Sequence, residues 1–305
     1  MEKRKIYIIL LVIMAFWGGT LVSIKVLVTQ YHPFTLTATR IFIASICLWL
    51  LLYSLKKIRL PKRQEWKWIM LASILGVILH HLLLSTGLQY TTSVKSSLIS
   101  GFSPILTAIF ALLFGLNEWK LSRFFGFLLG GVGIFIAVSA GKNVEMIVNI
   151  GDFFILLSFI SQALSFILIR KVSQTLDSVV LTCYMLLVGS LPLILIATIT
   201  NPSGWVDLLH VPYPYMLLLI ATAVFAISIG HAVYNYAISQ IGAAETAIIG
   251  NFNVIFALIF AAIFLNEPIL LAHLIGLVCI VIGVLFGTGA MEEIFKKWKN
   301  KKSDS

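Results

Sequence analysis

The chain has 305 residues, of which 60% are hydrophobic and only 11% charged, and its mean hydropathy is +1.02; soluble domains run at about 45–50% apolar and about 25% charged. So little charge cannot keep a chain of this size in water, which excludes a soluble enzyme, a disordered chain and a nucleic-acid-binding domain. The net charge of +10 therefore needs an explanation other than a polyanionic partner.

A helical crossing needs about 20 apolar residues. Ten runs of that kind follow one another: Ile6–Val28, Phe34–Leu55, Trp68–Leu88, Val94–Gly115, Leu121–Ala140, Gly151–Ile169, Val179–Thr200, Tyr215–Ile238, Ala244–Leu265 and Ile269–Gly289. The runs are continuous rather than alternating with period two, so they predict helices and not a barrel. Breakers stand between them, among them His32-Pro33, Leu60-Pro61, Tyr213-Pro214 and Glu267-Pro268. The basic opening Met1 to Lys5 leads into a run too long for a signal peptide, so it reads as the first span. Cys47, Cys183 and Cys279 fall inside apolar runs and read as small buried side chains, not as a disulfide or zinc framework.

Basic residues orient the spans. With the N-terminus on the cytoplasmic side, eighteen of the twenty-two Lys and Arg lie in cytoplasmic segments. The remainder are Lys25, Arg40, Lys95 and Lys142, the last in an outer loop. The expectation is a multi-pass protein of the cell membrane with both termini cytoplasmic. Trp66, Trp68, Trp119 and Trp298 fall at the expected interfaces.

The chain repeats itself. Leu98 to Glu118 reads LISGFSPILTAIFALLFGLNE, and Ala247 to Glu267, 149 residues on, reads AIIGNFNVIFALIFAAIFLNE. A shift of one residue then pairs Gly126 with Gly276 and Gly133 with Gly283. Five spans per copy is an odd number, so the second copy enters the membrane from the opposite side. That is the inverted repeat of secondary transporters. The expected architecture is an all-α polytopic membrane protein of ten transmembrane helices in two inverted five-helix repeats, residues 1–140 and 141–290, followed by a basic cytoplasmic tail at 291–305.

Phe16-Trp17-Gly18 in the first span, Thr39-Arg40-Ile41-Phe42 in the second, Gly87-Leu88-Gln89-Tyr90-Thr91-Thr92 before the fourth and Ser103-Pro104-Ile105 within it form an ordered set, and Asn117-Glu118 and Asn266-Glu267 close the fourth span of each half. In these features the chain resembles the drug/metabolite transporter superfamily, in its EamA branch of ten-span permeases, over roughly residues 6–288. The resemblance implies a carrier of small metabolites, often amino acids or related compounds, and mostly export. The chain departs from the family at Asn253, where the second copy of Pro104 often stands, so a kink in the ninth span is less secure.

Polar residues inside spans are the candidates for the site, since an ionisable group at mid-helix costs about 2.5–3.5 kcal/mol on insertion scales. Lys25 reads as snorkelling to the outer headgroups or lining a path. Arg40, deeper, reads as tying helix ends or lining the path, and with Lys95 these cations would make a basic outer vestibule that attracts carboxylates or phosphates. His80 and His81 point about 100° apart on one helix, which disfavours a shared metal. One of them is a candidate for the cavity and, with it, for a coupling proton; the other reading is a bond to a neighbouring helix. His231, Tyr234 and Asn235 form a polar stripe in the eighth span. Trp17, Gln162, Ser97, Asn251 and Asn253 complete the substrate-binding candidates, each with helix packing as the plainer alternative. Pro104 is the candidate hinge.

Glu118 and Glu267 each follow an asparagine, and the expectation is that each opens the next helix as a cap, with proton coupling as the lesser reading. Glu245 is read the same way. Gly126-x-x-x-Gly130 and Gly283-x-x-x-Gly287 occupy the last span of each half and predict close helix packing; the resemblance associates such spans with packing or a homodimer. There is no nucleotide-binding pattern and no catalytic motif, so no cofactor and no metal are expected. The predicted function is secondary transport of a small molecule across the lipid bilayer, with export favoured. Import or exchange of an organic anion or drug-like compound is the alternative, ahead of a membrane-embedded enzyme or a receptor.

Overall fold

A computed structural model describes residues 3–116, 118–139, 149–241, 246 and 249–292. Asn117, Lys142, Glu245, the junction of the repeats at 140–141 and the tail beyond Glu292 lie outside the described residues, as does the side chain of Asn235. Eight helices are long and apolar enough to cross a bilayer, and two shorter apolar helices complete ten among the described residues. No strand occurs among the described residues.

In chain order the helices are α1 (Lys3–Val28), α2 (Pro33–Ser54), α3 (Arg63–Tyr90), α4 (Ser93–Leu113) and α5 (Leu121–Ser139), then α6 (Ile150–Val172) and α7 (Ser178–Thr200). A short helix, Gly204–Leu209, leads to α8, which runs as Tyr213–Ala221, Thr222–Ile229 and Gly230–Ile241; α9 (Phe252–Leu265) and α10 (Leu271–Gly287) follow. Local chemistry sets several starts. Asn149 accepts from the Asp152 N–H at 3.0 Å while Asp152 accepts from the Asn149 N–H at 3.1 Å, a reciprocal cap on α6. Asp177 accepts from Val179 and Val180 at the start of α7.

The two halves repeat their irregularities as well as their helices. In α3 the stretch Ile74–Leu79 widens to a π-helix, in which the His80 N–H reaches back five residues to Leu75. In α8 the stretch Thr222–Ile229 does the same, with Gly230 reaching Phe225. α4 breaks at Phe102 into Ser93–Gly101 and Ser103–Leu113, with Pro104 in the first turn of the second piece. Asn251, 149 residues after Phe102, is likewise a turn before α9. The break therefore recurs although Asn253 replaces the proline.

Neighbours follow the same twofold logic: α5 packs on α10, α2 on α7, α1 on α9 and α6 on α4. The α5–α10 contact uses the predicted glycines. A Cβ placed on Gly283 would lie 2.7 Å from the Gly130 nitrogen and 2.8 Å from the Gly126 oxygen, and one on Gly276 2.7 Å from the Gly133 oxygen. The glycine faces are thus spent on each other within the chain. Gly18 sits equally close to α9, 2.7 Å from backbone atoms of Asn253 and Ala257 by the same measure. Large apolar side chains such as Leu50, Phe125, Leu195 and Phe264 remain on the outer surface, as helices facing lipid require.

The caps expected of Glu118 and Glu267 are placed differently. Asn266 ends α9 in the left-handed conformation at φ 53°, and α10 begins only at Leu271. Glu267 precedes Pro268, whose ring disfavours helical geometry in the residue before it, so it cannot occupy a helical first turn. Glu118 lies ahead of Leu121, and the first turn of α5 holds no acidic residue.

Candidate functional site

His81 and His231, one from each half of the chain, each stand two residues past the end of a π-helical stretch. Both line a small cavity between α3, α6, α7 and α8, with Gln162, Ser165, Phe166 and Met185 among its other walls. The cavity measures about 30 Å³, room for one or two waters.

The adjacent histidines divide as their 100° separation requires. Gln162 Nε2 donates to His80 Nε2 at 3.0 Å, and His80 Nδ1 lies 3.1 Å from the Ser158 carbonyl and 2.7 Å from its hydroxyl. An acceptor Nε2 places the proton on Nδ1, so His80 is a neutral imidazole locked onto α6. The Nδ1 of His81 is buried with no hydrogen-bond partner among the described residues. Ser161 donates to the Leu75 carbonyl at 2.8 Å, one of the acceptors in the π stretch. Hydrogen bonds therefore zip α6 to α3.

The equivalent pair, α1 and α8, is held differently. Trp17 Nε1 donates to the Ala226 carbonyl at 2.8 Å, inside the second π stretch, and its ring packs 5.3 Å from that of His231 and 5.0 Å from that of Tyr234. Beside this contact a groove of about 330 Å³ runs between α1, α8 and α9, lined by Val12, Phe16, Thr20, Thr222, Ala226 and Phe260.

Hydroxyls at repeat-equivalent positions anchor the π stretches to the second helix of the opposite half. Ser73 donates to the Met185 carbonyl of α7 at 2.8 Å. Thr222, 149 residues later, accepts from Arg40 Nε of α2 at 2.9 Å.

The remaining candidates lie elsewhere. Lys25 Nζ donates to the Leu88 carbonyl at 2.7 Å, in the last turn of α3. Ser97 is buried and turned onto its own helix, donating to Val94 at 2.7 Å. Asn251 is buried at the α9 turn and Asn253 is half-buried beside α1. Asp152 was not singled out by the sequence reading: it pairs with Lys95 at 3.4 Å and accepts from Thr91. An acid within an apolar run was the signal that could have found it.

Ties between the halves occur at both ends of the bundle. At one end Glu267 accepts from the N–H groups of Ser93 and Val94 at 2.9 and 2.8 Å, and Lys95 meets Asp152. At the other, Arg59 pairs with Glu65 at 3.0 Å and donates to the Thr175 carbonyl at 2.6 Å, while Lys120 pairs with Glu292. The Lys120 ammonium hydrogen-bonded to Glu292 holds that carboxyl below its ordinary range.

A family model described as the EamA-like transporter family matches residues 4–139 and, again, residues 149–288. The chain is 27% identical over 298 residues to the uncharacterized transporter YyaM of Bacillus subtilis, a match covering 95% of this chain and 96% of that protein. It is 25% identical over 288 residues to the uncharacterized transporter YvbV of the same organism, covering 93% and 92% respectively. It is 26% identical over 276 residues to the uncharacterized transporter sll0355 of Synechocystis, covering 83% and 80%. One solved crystal structure shares the fold with a TM-score of 0.68 over 95% of this chain and 97% of that one, at 15% identity.

Proposed function

The chain belongs to the EamA-like transporter family, and from that premise we propose that it is a secondary active transporter that exports a small metabolite, such as an amino acid or a related compound, across the cell membrane by alternating access. The observation that carries the proposal is the meeting of His81 and His231, one from each repeat, at a single cavity that also takes Gln162. A site to which both halves contribute can open to either side as the halves rock. At about 30 Å³ the cavity is far below the roughly 300 Å³ of a small-molecule site, so transport requires the halves to part. The Arg59 end faces the cytoplasm in this reading, because the basic residues concentrate there. The Trp17, His231 and Tyr234 rings form the aromatic wall against which substrate slides.

The test is counterflow of labelled amino acids, nucleosides, organic anions and drugs in vesicles holding the purified protein, with and without an imposed proton gradient. Exchange above empty vesicles, reduced at least tenfold by Trp17→Leu in protein that still folds, supports the proposal. Vesicles indistinguishable from empty ones across the whole panel would overturn it.

A further inference from the structure

Three cations are left over when the basic residues of the membrane faces are set aside, and their surroundings differ. Lys25 donates to a helix-terminal carbonyl and lies within electrostatic reach of Glu267. Lys95 is paired with Asp152. Arg40 is 1% exposed, and its only hydrogen bond among the described residues runs from Nε to Thr222, a neutral partner. Its Nη2 is buried without a partner among the described residues, and none of the ion pairs among them includes it.

A buried guanidinium without a counter-charge is among the costliest arrangements in an apolar interior. Its neighbours do not relieve it. His80 is taken up by Ser158 and Gln162, and the Nδ1 of His81, without a partner among the described residues, adds a polar atom but no negative charge. Arg40 itself lines neither opening, but Thr222, which holds its Nε, lines the 330 Å³ groove between α1 and α8, and His81 lines the smaller cavity. Because Thr222 occupies Nε, the Nη edge is the part of the fork left for an oxyanion.

We propose that Arg40 recognises an acidic group on the transported molecule: the substrate bears a carboxylate, which accepts from Arg40 Nη2 and supplies the missing counter-charge, with His81 as its second polar contact. This rests on the transport reading above and narrows its substrate class to organic acids, zwitterions included. The apolar lining of the groove suits the rest of such a molecule. A lipid phosphate presents related oxyanion chemistry and is separated from a metabolite by the test.

Binding is measured on the purified full chain by ligand-dependent shifts of thermal unfolding. The probes are two matched pairs, N-acetyl-leucine with N-acetyl-leucinamide and phenylacetate with phenylacetamide, and dihexanoyl phosphatidic acid. The expected result is at least one acid binding at least tenfold tighter than its amide, a preference that Arg40→Gln removes and Gly131→Ala, on the open face of α5, keeps. If Arg40→Gln does not purify as a single species, Arg40→Lys and His81→Ala are read instead, each weakening the acid at least threefold and leaving the amide unmoved. Equal binding of acid and amide, no binding of either acid, an acid preference that survives in the Arg40 variants, or phosphatidic acid binding tighter than both carboxylates overturns the proposal. Counterflow is scored separately. Vesicles that move neutral or cationic solutes but no acid overturn acid recognition and leave transport standing. Acid binding with no counterflow of any solute upholds acid recognition and removes the transport reading.

Discussion

Glu267 holds Val94 across 173 positions of sequence: its carboxylate accepts from the Val94 N–H at 2.8 Å and from the Ser93 N–H at 2.9 Å. The second half of the chain thereby caps the fourth helix of the first, satisfying donors that a helix start leaves open and placing negative charge at its positive end. Glu267→Gln keeps the shape but presents only one accepting oxygen. The expected cost is about 2 kcal/mol, in the range of charge-assisted bonds. It should appear as a lowered unfolding midpoint and as faster amide exchange at Ser93 and Val94, and an unchanged exchange rate there would show that the cap is not holding the helix.

The α5–α10 seam is predicted to be intolerant at one glycine and tolerant at its neighbour. Gly283→Leu has to displace backbone atoms of Gly130 and Gly126 that a Cβ alone would approach within 2.8 Å, and should cost about 3 kcal/mol or more. Gly131 faces open space, so Gly131→Ala should be neutral or gain up to about 1 kcal/mol of helix propensity. Thermal unfolding of the two variants in one detergent makes the comparison, and similar midpoints would mean that the seam is not packed as described.

The two adjacent histidines should separate stability from transport. His80→Ala strands Ser158 and Gln162, and an expected loss of about 2 kcal/mol follows from unpaired buried polar groups. His81→Ala removes a side chain whose Nδ1 has no partner among the described residues, so stability should move by less than about 1 kcal/mol while counterflow falls. Unfolding midpoints and counterflow on both variants decide it; loss of stability at His81 with retained transport is the contrary result.

The Lys120–Glu292 tie gives a pH dependence whose sign is fixed. Glu292 is held below its ordinary value of 4.5, first by the hydrogen bond from Lys120. A carboxyl lowered in the folded state contributes stability that is fully present above its unfolded value and is lost as pH falls through the folded one. The unfolding midpoints of the wild type and Lys120→Met should therefore differ at pH 7 and converge below about pH 4. A gap that widens on acidification would assign the effect to another group. The pair is partly exposed, so the gap should also shrink with added salt.

What could be read from the sequence was what repeats over a helix length. The spans follow from continuous apolar runs, and the two copies from Leu-Asn-Glu recurring after 149 residues. The glycines of α5 and α10 were identifiable because small residues spaced by four have one common use in lipid. Partners were not legible. Glu267 bonds backbone N–H groups, which every residue but proline carries, so nothing in Ser93 or Val94 marks them as its targets. The π stretches leave no mark either: ILGVIL and TAVFAISI read as ordinary apolar helix. For the same reason the sequence offered Trp17 as a binding candidate or a packing residue but could not give it the Ala226 carbonyl as its acceptor.

The wide turns at Ile74–Leu79 and Thr222–Ile229 also bear on descent. They share almost no sequence, yet occupy the same place in each copy. Two independent insertions at matched positions are a poorer explanation than one inheritance. A single five-helix ancestor that already carried its wide turn when its gene doubled would account for both, the surrounding residues having diverged afterwards while the backbone irregularity stayed. A present-day relative of half this length, assembling as an antiparallel pair, should show the same turn in its third helix; an unbroken α-helix there would count against that history.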